Sequence, residues 1–174
     1  TRSRDVHLRP ADAAELGERD VAGRVTIHRD ASETCQRGNR NVTAVAGDQD
    51  ALAEKPMAIF DCCPSPPLKW SDLTCQALID CARTGLPAEL VSMPLTGATS
   101  PVTLAGAITQ HCAENLSGIT IHQIAKAGAP IIYGGSPAFF DMRKGTTPMG
   151  AVETMMVECA YSQIGKYLGL PTQA

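Results

Sequence analysis

The sequence predicts an α/β fold that forms part of a (β/α)8 TIM barrel, and three observations support this prediction. Short apolar segments are centred near residues 59, 90 and 132, and a fourth begins near residue 172. Segments with helical apolar periodicity lie between them, so the chain has a βα repeat of about three units. The loops after the strands are long, whereas the turns after the helices are short. Because a barrel carries its working loops at the carboxyl ends of its strands, this asymmetry favours a barrel over a doubly wound sheet.

The first βα unit consists of the strand candidate "PMAIF" and the helix candidate "SDLTCQALIDCART". Apolar residues recur along this helix at Leu73, Ala77, Leu78 and Cys81. Ser71 is expected to cap the first turn, because its hydroxyl can accept a free backbone N–H. Gly85 is expected to end the helix, since glycine tolerates the left-handed conformation found there.

The second and third units follow the same plan. "PAELVSM" is the second strand candidate, "PLTGATSP" is its exit loop, and a long helix that ends at Gly128 comes next. "APIIYGG" is the third strand candidate, which is expected to stop at Gly134 and Gly135. A long exit loop then leads to a third helix over residues 149–168, ended by Gly169.

Composition divides the chain into two parts. Residues 1–50 contain 17 charged side chains, eight of them arginine, but no lysine and no aromatic residue. Residues 51–174 contain 16 charged side chains, with five lysines and two arginines. We therefore predict an Arg-rich segment of unclear structure over 1–43, poorly matched to the barrel, and a partial TIM-barrel domain over 44–174. Two hypotheses cover the first segment: it is solvated and weakly ordered, or it is translated from a shifted reading frame.

The bulk properties argue against several classes of function. A net charge of −3 does not favour binding to nucleic acid or to an anionic membrane. The chain has no apolar run long enough to span a bilayer, so a cytoplasmic location is predicted. The seven cysteines form no Cys-x-x-Cys pair and lie mostly in apolar patterns, which predicts buried, reduced thiols rather than a metal or redox site. His111 and His122 are predicted to be surface or core residues rather than metal ligands.

Polar and aromatic residues gather in the strand-exit loops, where barrel active sites lie. The candidates are Asp61, Trp70, Tyr133, Phe139, Phe140, Asp141 and Arg143. Aromatic faces suit an alkylammonium ligand, because the cation lies over the ring quadrupoles. Other interpretations stay open: the aromatic residues pack the loops onto the barrel, Asp141 and Arg143 form a structural ion pair, and Asp61 braces its loop. No catalytic residue is assigned.

The segments "FDCCPSPPLKW", "MPLTGATSPVTLAGA" and "GAPIIYGGSPAFFDMRKGTTPMGAVE" resemble the trimethylamine methyltransferase superfamily. This group contains the trimethylamine:corrinoid methyltransferases of methanogens and the glycine betaine:corrinoid methyltransferases. The resemblance runs from about residue 44 to residue 174, and residues 1–43 do not carry it.

The resemblance implies that the chain is an internal fragment of a TIM-barrel methyltransferase. The full-length enzyme would move a methyl group from a tertiary or quaternary methylamine to the Co(I) of a corrinoid (cobalamin). That corrinoid would be carried by a cognate small corrinoid protein, and this chain would bind none tightly itself. The full-length enzyme is expected to be a homo-oligomer.

In this interpretation, Tyr133, Phe139, Phe140 and Trp70 line the amine pocket. Asp61 and Asp141 complement the ammonium charge, and Arg143 suits the carboxylate of a betaine. Two alternatives remain: a non-catalytic truncated remnant, and a phosphate-binding TIM-barrel enzyme that uses the backbone N–H groups at Gly134 and Gly135.

Overall fold

The computed structural model describes residues 18–19, 25–27, 55–56 and 58–173. The strands are β1 (Glu18–Arg19), β2 (Val25–Ile27), β3 (Ala58–Cys62), β4 (Ala88–Ser92), β5 (Leu95–Thr96), β6 (Ile131–Gly135) and β7 (Ala138–Phe139). The helices are α1 (Asp72–Thr84), α2 (Leu104–Ala125) and α3 (Val152–Tyr167).

Five strands form the main sheet, in the order β1-β2-β3-β4-β6. β2, β3, β4 and β6 run parallel, and β1 is antiparallel to β2. A parallel bridge between Tyr133 and Thr172 continues this order beyond β6, at the place where the fourth apolar strand was predicted. The described strands therefore succeed one another in space as they do along the chain, without the reversal of order that defines a doubly wound sheet.

The helices pack against the same side of the sheet. Phe60, Leu90 and Ile131 share one buried cluster with Leu78 and Cys81 of α1. α2 packs on α1 and on β4, and α3 packs on α2 and on β6. Side chains alternate between the two faces of a strand, so the neighbouring residues of β3, β4 and β6 point to the opposite face. The coarse prediction of an α/β fold built from parallel strands and helices is confirmed.

The predicted helix ends are largely confirmed. The Ser71 side chain accepts the backbone N–H of Thr74, and Gly85 adopts a left-handed conformation with φ 77°. The Thr103 side chain caps α2 in the same way by accepting the N–H of Gly106. α3 begins three residues later than predicted, because residues 149–150 form a turn ahead of it.

β6 ends at Gly135, as predicted, and Gly134 and Gly135 pair with Val91 and Ser92 of β4. The structure of the exit loops, in contrast, was not predicted. The exit loops contain β5 and β7, which pair in parallel as a second, two-stranded sheet. Strands of two residues have no detectable periodicity, and only the contact between the loops creates them.

The predictions for residues 1–43 lie outside the described residues, apart from β1 and β2. Whether this segment forms a separate domain stays a prediction. Of the described helices, none combines the length and the apolar character that a bilayer crossing needs.

The cysteine prediction holds at some positions and fails at others. None of the six cysteines in the described part of the chain is assigned to a disulfide. Cys62 and Cys81 are buried as predicted, whereas Cys159 is exposed on the outer side of α3. Apolar neighbours in the sequence suggested burial for Cys159, but those neighbours are themselves exposed, as Met155 and Met156 show.

Candidate functional site

Asp61 and Glu89 lie side by side on the face of the sheet turned away from the helices, which we call the distal face. The parallel register places Asp61 of β3 directly beside Glu89 of β4, and Glu89 beside Ile132 of β6. Neighbouring strands lie about 4.8 Å apart, so the two carboxylates share one environment.

Glu89 is deeply buried for a carboxylate. Its side chain is only 4% exposed. Its Oε2 atom has no hydrogen-bond partner among the described residues. Burial first, and then the neighbouring charge of Asp61, together raise the pKa of Glu89 from its ordinary value of 4.5 to about 7. Near neutral pH the side chain is therefore divided between its protonated and ionised forms.

Gly134 makes room for this carboxylate. A Cβ atom at Gly134 would overlap Oε1 of Glu89, and would lie 3.1 Å from its Cδ. The Glu89 side chain can therefore adopt its observed position only because residue 134 of β6 is a glycine. The acidic pair and Gly134 form one structural unit, which spans β3, β4 and β6.

The exit loops after β4 and β6 form an ordered layer beyond the ends of the main strands. The backbone N–H of Phe140 donates to the carbonyl of Thr96 at 3.2 Å, and that of Phe139 donates to Oγ1 of Thr154 at 3.2 Å. Both phenylalanines are partly exposed. The loop of the third unit is therefore bound to the loop of the second and to α3.

Asp141 organises the turn that follows this layer. Its Oδ1 accepts the backbone N–H of Arg143 at 2.9 Å and that of Lys144 at 3.3 Å. Its own N–H donates to the carbonyl of Thr146 at 2.9 Å. The Arg143 side chain is exposed. These contacts give Asp141 a bracing role through backbone groups, where the sequence had suggested an ion pair as one alternative.

Tyr133 and Trp70 lie on the helical side of the sheet. Tyr133 is fully buried, and its ring meets the ring of His111 edge-on at 5.7 Å between centroids. Burial raises the pKa of the Tyr133 hydroxyl. The Trp70 ring packs against the core, and its Nε1 donates to Oγ of Ser117 at 2.9 Å. This placement favours packing for both residues and separates them from the distal face.

A buried polar cluster on α2 supports the ends of β4 and β6. Glu114 is fully buried; its Oε2 accepts the hydroxyl of Ser92, and its Oε1 accepts the backbone N–H of Leu68 at 3.0 Å. Nδ2 of Asn115 donates to the carbonyl of Gly134 at 2.8 Å. The cluster thus joins the loop after β3, the end of β4 and the glycine pair of β6.

His111 fills the space above Gly135. A Cβ atom at Gly135 would overlap the imidazole and lie 2.9 Å from the carbonyl oxygen of Ser92. The imidazole also stacks on Tyr161 of α3 at 4.5 Å, and the Tyr161 hydroxyl donates to the carbonyl of Gly135 at 2.9 Å. Burial lowers the pKa of His111 to about 4, so the ring is neutral at physiological pH. Close packing against Glu89 and His111 therefore accounts for Gly134 and Gly135 without a bound phosphate.

The structure brings some of the predicted site residues together and keeps others apart. Asp61 lies on the distal face, Phe139, Phe140, Asp141 and Arg143 lie in or just after the exit-loop layer, and Trp70 and Tyr133 lie on the helical side. Their roles in binding stay predictions.

Sequence reasoning missed Glu89. A signal for it existed, since a carboxylate in the interior of an otherwise apolar strand has to be buried on one face or the other. Among the described residues, no group of three or more His, Cys, Asp or Glu could hold a metal ion.

A sequence model of the family described as trimethylamine methyltransferase (MTTB) matches residues 11–174 of the chain. The trimethylamine methyltransferase MttB of Methanosarcina barkeri is 40% identical over 126 residues, which are 72% of this chain and 26% of that protein. The trimethylamine methyltransferase MttB of Desulfitobacterium hafniense (strain DSM 10664 / DCB-2) is 37% identical over 129 residues, 74% of this chain and 26% of that protein.

A glycine betaine methyltransferase of Desulfitobacterium hafniense (strain Y51) is 32% identical over 128 residues, 74% of this chain and 27% of that protein. The chain thus spans about a quarter of the length of the relatives it matches. The family match includes the distal face, the exit loops and the α2 cluster. It begins at residue 11, so the expectation that residues 1–43 carry no resemblance to the family was wrong for most of that segment. The chain therefore belongs to the trimethylamine methyltransferase family.

Proposed function

We propose that the chain acts, within a longer enzyme, in moving a methyl group from a tertiary or quaternary methylamine to a corrinoid bound on a separate protein. The observation that carries this proposal is the match of residues 11–174 to the trimethylamine methyltransferase family. The relatives are trimethylamine methyltransferases and a glycine betaine methyltransferase, so a methylated nitrogen is common to their named substrates.

The four parallel strands and their helices would form an arc of a (β/α)8 barrel. Their unreversed order and the placement of the helices on one face support this interpretation. In a closed barrel the distal face becomes the interior, and the exit loops become the mouth. Asp61 and Glu89 then lie inside the barrel, and Phe139 and Phe140 lie at its entrance.

An acidic barrel interior suits the methyl donor, because each donor of this class carries a positive charge on or near the nitrogen that loses the methyl group. A buried carboxylate attracts such a cation far more strongly than a carboxylate in water does. The site therefore favours methylammonium compounds over neutral molecules of the same shape.

The proposed reaction requires no covalent bond between the methyl donor and this chain. The Co(I) of the corrinoid supplies the electron pair that accepts the methyl group. The C–N bond breaks with its electron pair remaining on nitrogen, so a quaternary ammonium leaves as a neutral amine. The role of this chain is to hold the donor in line and to exclude water from it.

The exit-loop layer would face the corrinoid protein. It presents the partly exposed rings of Phe139 and Phe140 and, in the turn beyond, the exposed side chain of Arg143. The predicted role of Arg143 in binding a betaine carboxylate belongs to this surface. Assembly of the full-length enzyme as a homo-oligomer, and its cytoplasmic location, remain part of the proposal.

The proposal is tested with the full-length protein and free cob(I)alamin under reducing conditions. Trimethylamine, glycine betaine and tetramethylammonium are added in turn, and the decay of the Co(I) absorbance is followed. We expect at least one donor to consume Co(I) at a rate proportional to enzyme concentration. Tetraethylammonium, a cation without a methyl group on nitrogen, is the matched control.

Two results would contradict the proposal. The first is a Co(I) decay that no N-methyl donor accelerates. The second is an equal acceleration by tetraethylammonium, which would show that methyl transfer from nitrogen is not the reaction.

A further inference from the structure

Leu68 is held in an unfavourable backbone conformation with its side chain in solvent. Its φ is 54°, and in the part of the chain that the structure describes it is the only residue other than glycine with a positive φ. A side chain destabilises this left-handed conformation, which glycine adopts freely. The Leu68 side chain is nevertheless 63% exposed, so it buries little apolar surface in return. Strain of this kind points to a function of the exposed side chain.

The turn that carries Leu68 is fixed by hydrogen bonds. Ser65 and Lys69 close it as an antiparallel bridge: the N–H of Ser65 donates to the carbonyl of Lys69 at 2.7 Å, and the N–H of Lys69 donates to the carbonyl of Ser65 at 3.2 Å. The N–H of Leu68 itself donates to Oε1 of the buried Glu114 at 3.0 Å. A partner that covers Leu68 therefore loses little free energy in ordering it.

The same carboxylate oxygen connects this turn to the exit loop after β4. Nε2 of Gln110 donates to Oε1 of Glu114 at 3.0 Å and to the carbonyl of Thr99 at 2.9 Å. The loop after β4 is in turn bound to the loop after β6 by backbone hydrogen bonds. The three exit loops therefore form one connected surface at the carboxyl ends of β3, β4 and β6, and Leu68 has a fixed place on it.

The exposed side chains of this surface include large apolar groups and cations. The large apolar groups are Leu68 after β3, Met93 and Val102 after β4, and Met142 and Met149 after β6. The exposed charged groups in these loops, residues 63–71, 93–103 and 136–151, are Lys69, Arg143 and Lys144. All three are positive, although the chain as a whole has a net charge of −3. Exposed apolar groups are typical of a protein contact, and the cations fit an acidic partner.

We propose that the exit-loop surface docks an acidic face of the corrinoid-carrying protein, and that Leu68 is its apolar anchor. Lys69, Arg143 and Lys144 pair with carboxylates of that face. This inference rests on the proposed function for the identity of the partner, but it concerns a binding step that can be measured apart from methyl transfer.

Leu68→Gly is the most informative variant, because glycine removes the side chain and suits the left-handed backbone. We expect it to fold with a thermal stability equal to or above that of the unmodified protein. Ile124→Ala is the matched control: it also shortens an exposed aliphatic side chain, but near the end of α2 that is remote from the exit loops. Lys69→Glu tests the charge of the surface.

The measurement is the dissociation constant between the full-length protein and a purified corrinoid protein that the unmodified enzyme methylates, determined by isothermal titration calorimetry. We expect Leu68→Gly to raise this constant at least about tenfold, as the loss of an interface anchor does. Lys69→Glu should also raise it and should weaken its dependence on salt concentration. Ile124→Ala should leave it unchanged.

Methyl-transfer rates provide a second readout. At low concentrations of the corrinoid protein, the rate with that protein is divided by the rate with free cob(I)alamin. This ratio should fall about tenfold in Leu68→Gly, because free cob(I)alamin needs no protein docking. It should not change in Ile124→Ala.

Several results would overturn the inference: an unchanged dissociation constant in Leu68→Gly or in Lys69→Glu, or an equal loss of affinity in Ile124→Ala. A Leu68→Gly protein less stable than the unmodified one would overturn it too, since Leu68 would then pack within the full-length enzyme. If the unmodified enzyme transfers methyl groups while Leu68→Gly docks normally, only this inference fails. If the unmodified enzyme methylates neither a corrinoid protein nor free cob(I)alamin, the proposed function fails, and this inference fails with it.

Discussion

Glu89 lowers the stability of the folded protein as the pH rises. Its pKa is about 7 in the fold, above the ordinary value of 4.5, so the folded state binds more protons than the unfolded state between these two values. Stability contributed by the protonated group is fully present below about pH 4.5 and is lost as the pH rises through 7. Such a cost is typical of a group retained for binding rather than for stability.

We therefore predict that Glu89→Gln stabilises the protein at pH 8, since the neutral amide removes a buried charge. The gain should be of the order of 1 to 3 kcal/mol in the free energy of unfolding. The difference from the unmodified protein should vanish near pH 4.5. Thermal unfolding of both proteins between pH 4.5 and 8.5 measures this, and a variant less stable at pH 8 would contradict the prediction.

His111 acts in the opposite direction. Its pKa of about 4 lies below the ordinary value of 6.5, so the unfolded state binds more protons in that interval. Stability is therefore lost as the pH falls from about 6.5 towards 4. The pKa values of Glu89 and His111 depend on burial, which no local pattern in the amino-acid sequence shows.

Gly135 is predicted to be intolerant of a side chain. Gly135→Ala would push the new methyl group against the His111 ring and the carbonyl of Ser92. We expect a loss of about 2 to 4 kcal/mol in the free energy of unfolding. Gly150→Ala is the matched control, because no atom lies within 4 Å of a Cβ there. Equal stability of the two variants would show that the close packing over β6 is not as described.

Helix α2 connects several other elements through hydrogen bonds made by its side chains. Its residue Glu114 accepts hydrogen bonds from the loop after β3 and from the end of β4. Its residue Asn115 binds the backbone of β6. The helix therefore fixes the relative positions of three strand ends, and with them the geometry of the exit loops.

Glu114→Ala should loosen the loop between β3 and α1. The backbone N–H of Leu68 and the hydroxyl of Ser92 lose their acceptor, at a cost of about 2 to 4 kcal/mol. Lys69 is exposed in this loop, so trypsin cleavage after Lys69 reports the change. Cleavage should be faster in Glu114→Ala and unchanged in Glu153→Ala. An unchanged cleavage rate in both variants would contradict the role given to Glu114.

The elements themselves were largely predictable, and the reasons are local. Apolar periodicity located α1, α2 and α3, and the capping residues Ser71 and Gly85 have the geometry expected of them. β5 and β7 could not be predicted, because they exist only through the contact between two loops. The same holds for the site: Asp61 was identified from its place near a strand end, whereas Glu89 became visible only through the register of β3 and β4.

At the scale of the whole molecule, the outer face of α3 is apolar and exposed. Val152, Met155 and Met156 are 63%, 48% and 56% exposed. α1, α2 and α3 pack in succession, each on the next. In the proposed barrel, the helix of the following βα unit would cover the outer face of α3 in the same manner.

The 174-residue chain expressed alone is therefore predicted to self-associate through this face. Replacing both Met155 and Met156 by lysine should shift the chain towards a monomer in size-exclusion chromatography with light scattering. Ile124→Lys is the matched control, because Ile124 is 81% exposed and belongs to a different helix, α2. A monomeric unmodified chain, or equal effects of the two changes, would contradict this prediction.

The central claim, methyl transfer from a methylated nitrogen, is tested most directly by following the methyl group itself. The full-length protein is incubated with its reduced corrinoid protein and a donor whose N-methyl groups carry deuterium, and the corrinoid is then analysed by mass spectrometry. We predict that the corrinoid gains one deuterated methyl group for each demethylated amine formed. A corrinoid that gains no label while the donor is consumed would contradict the account.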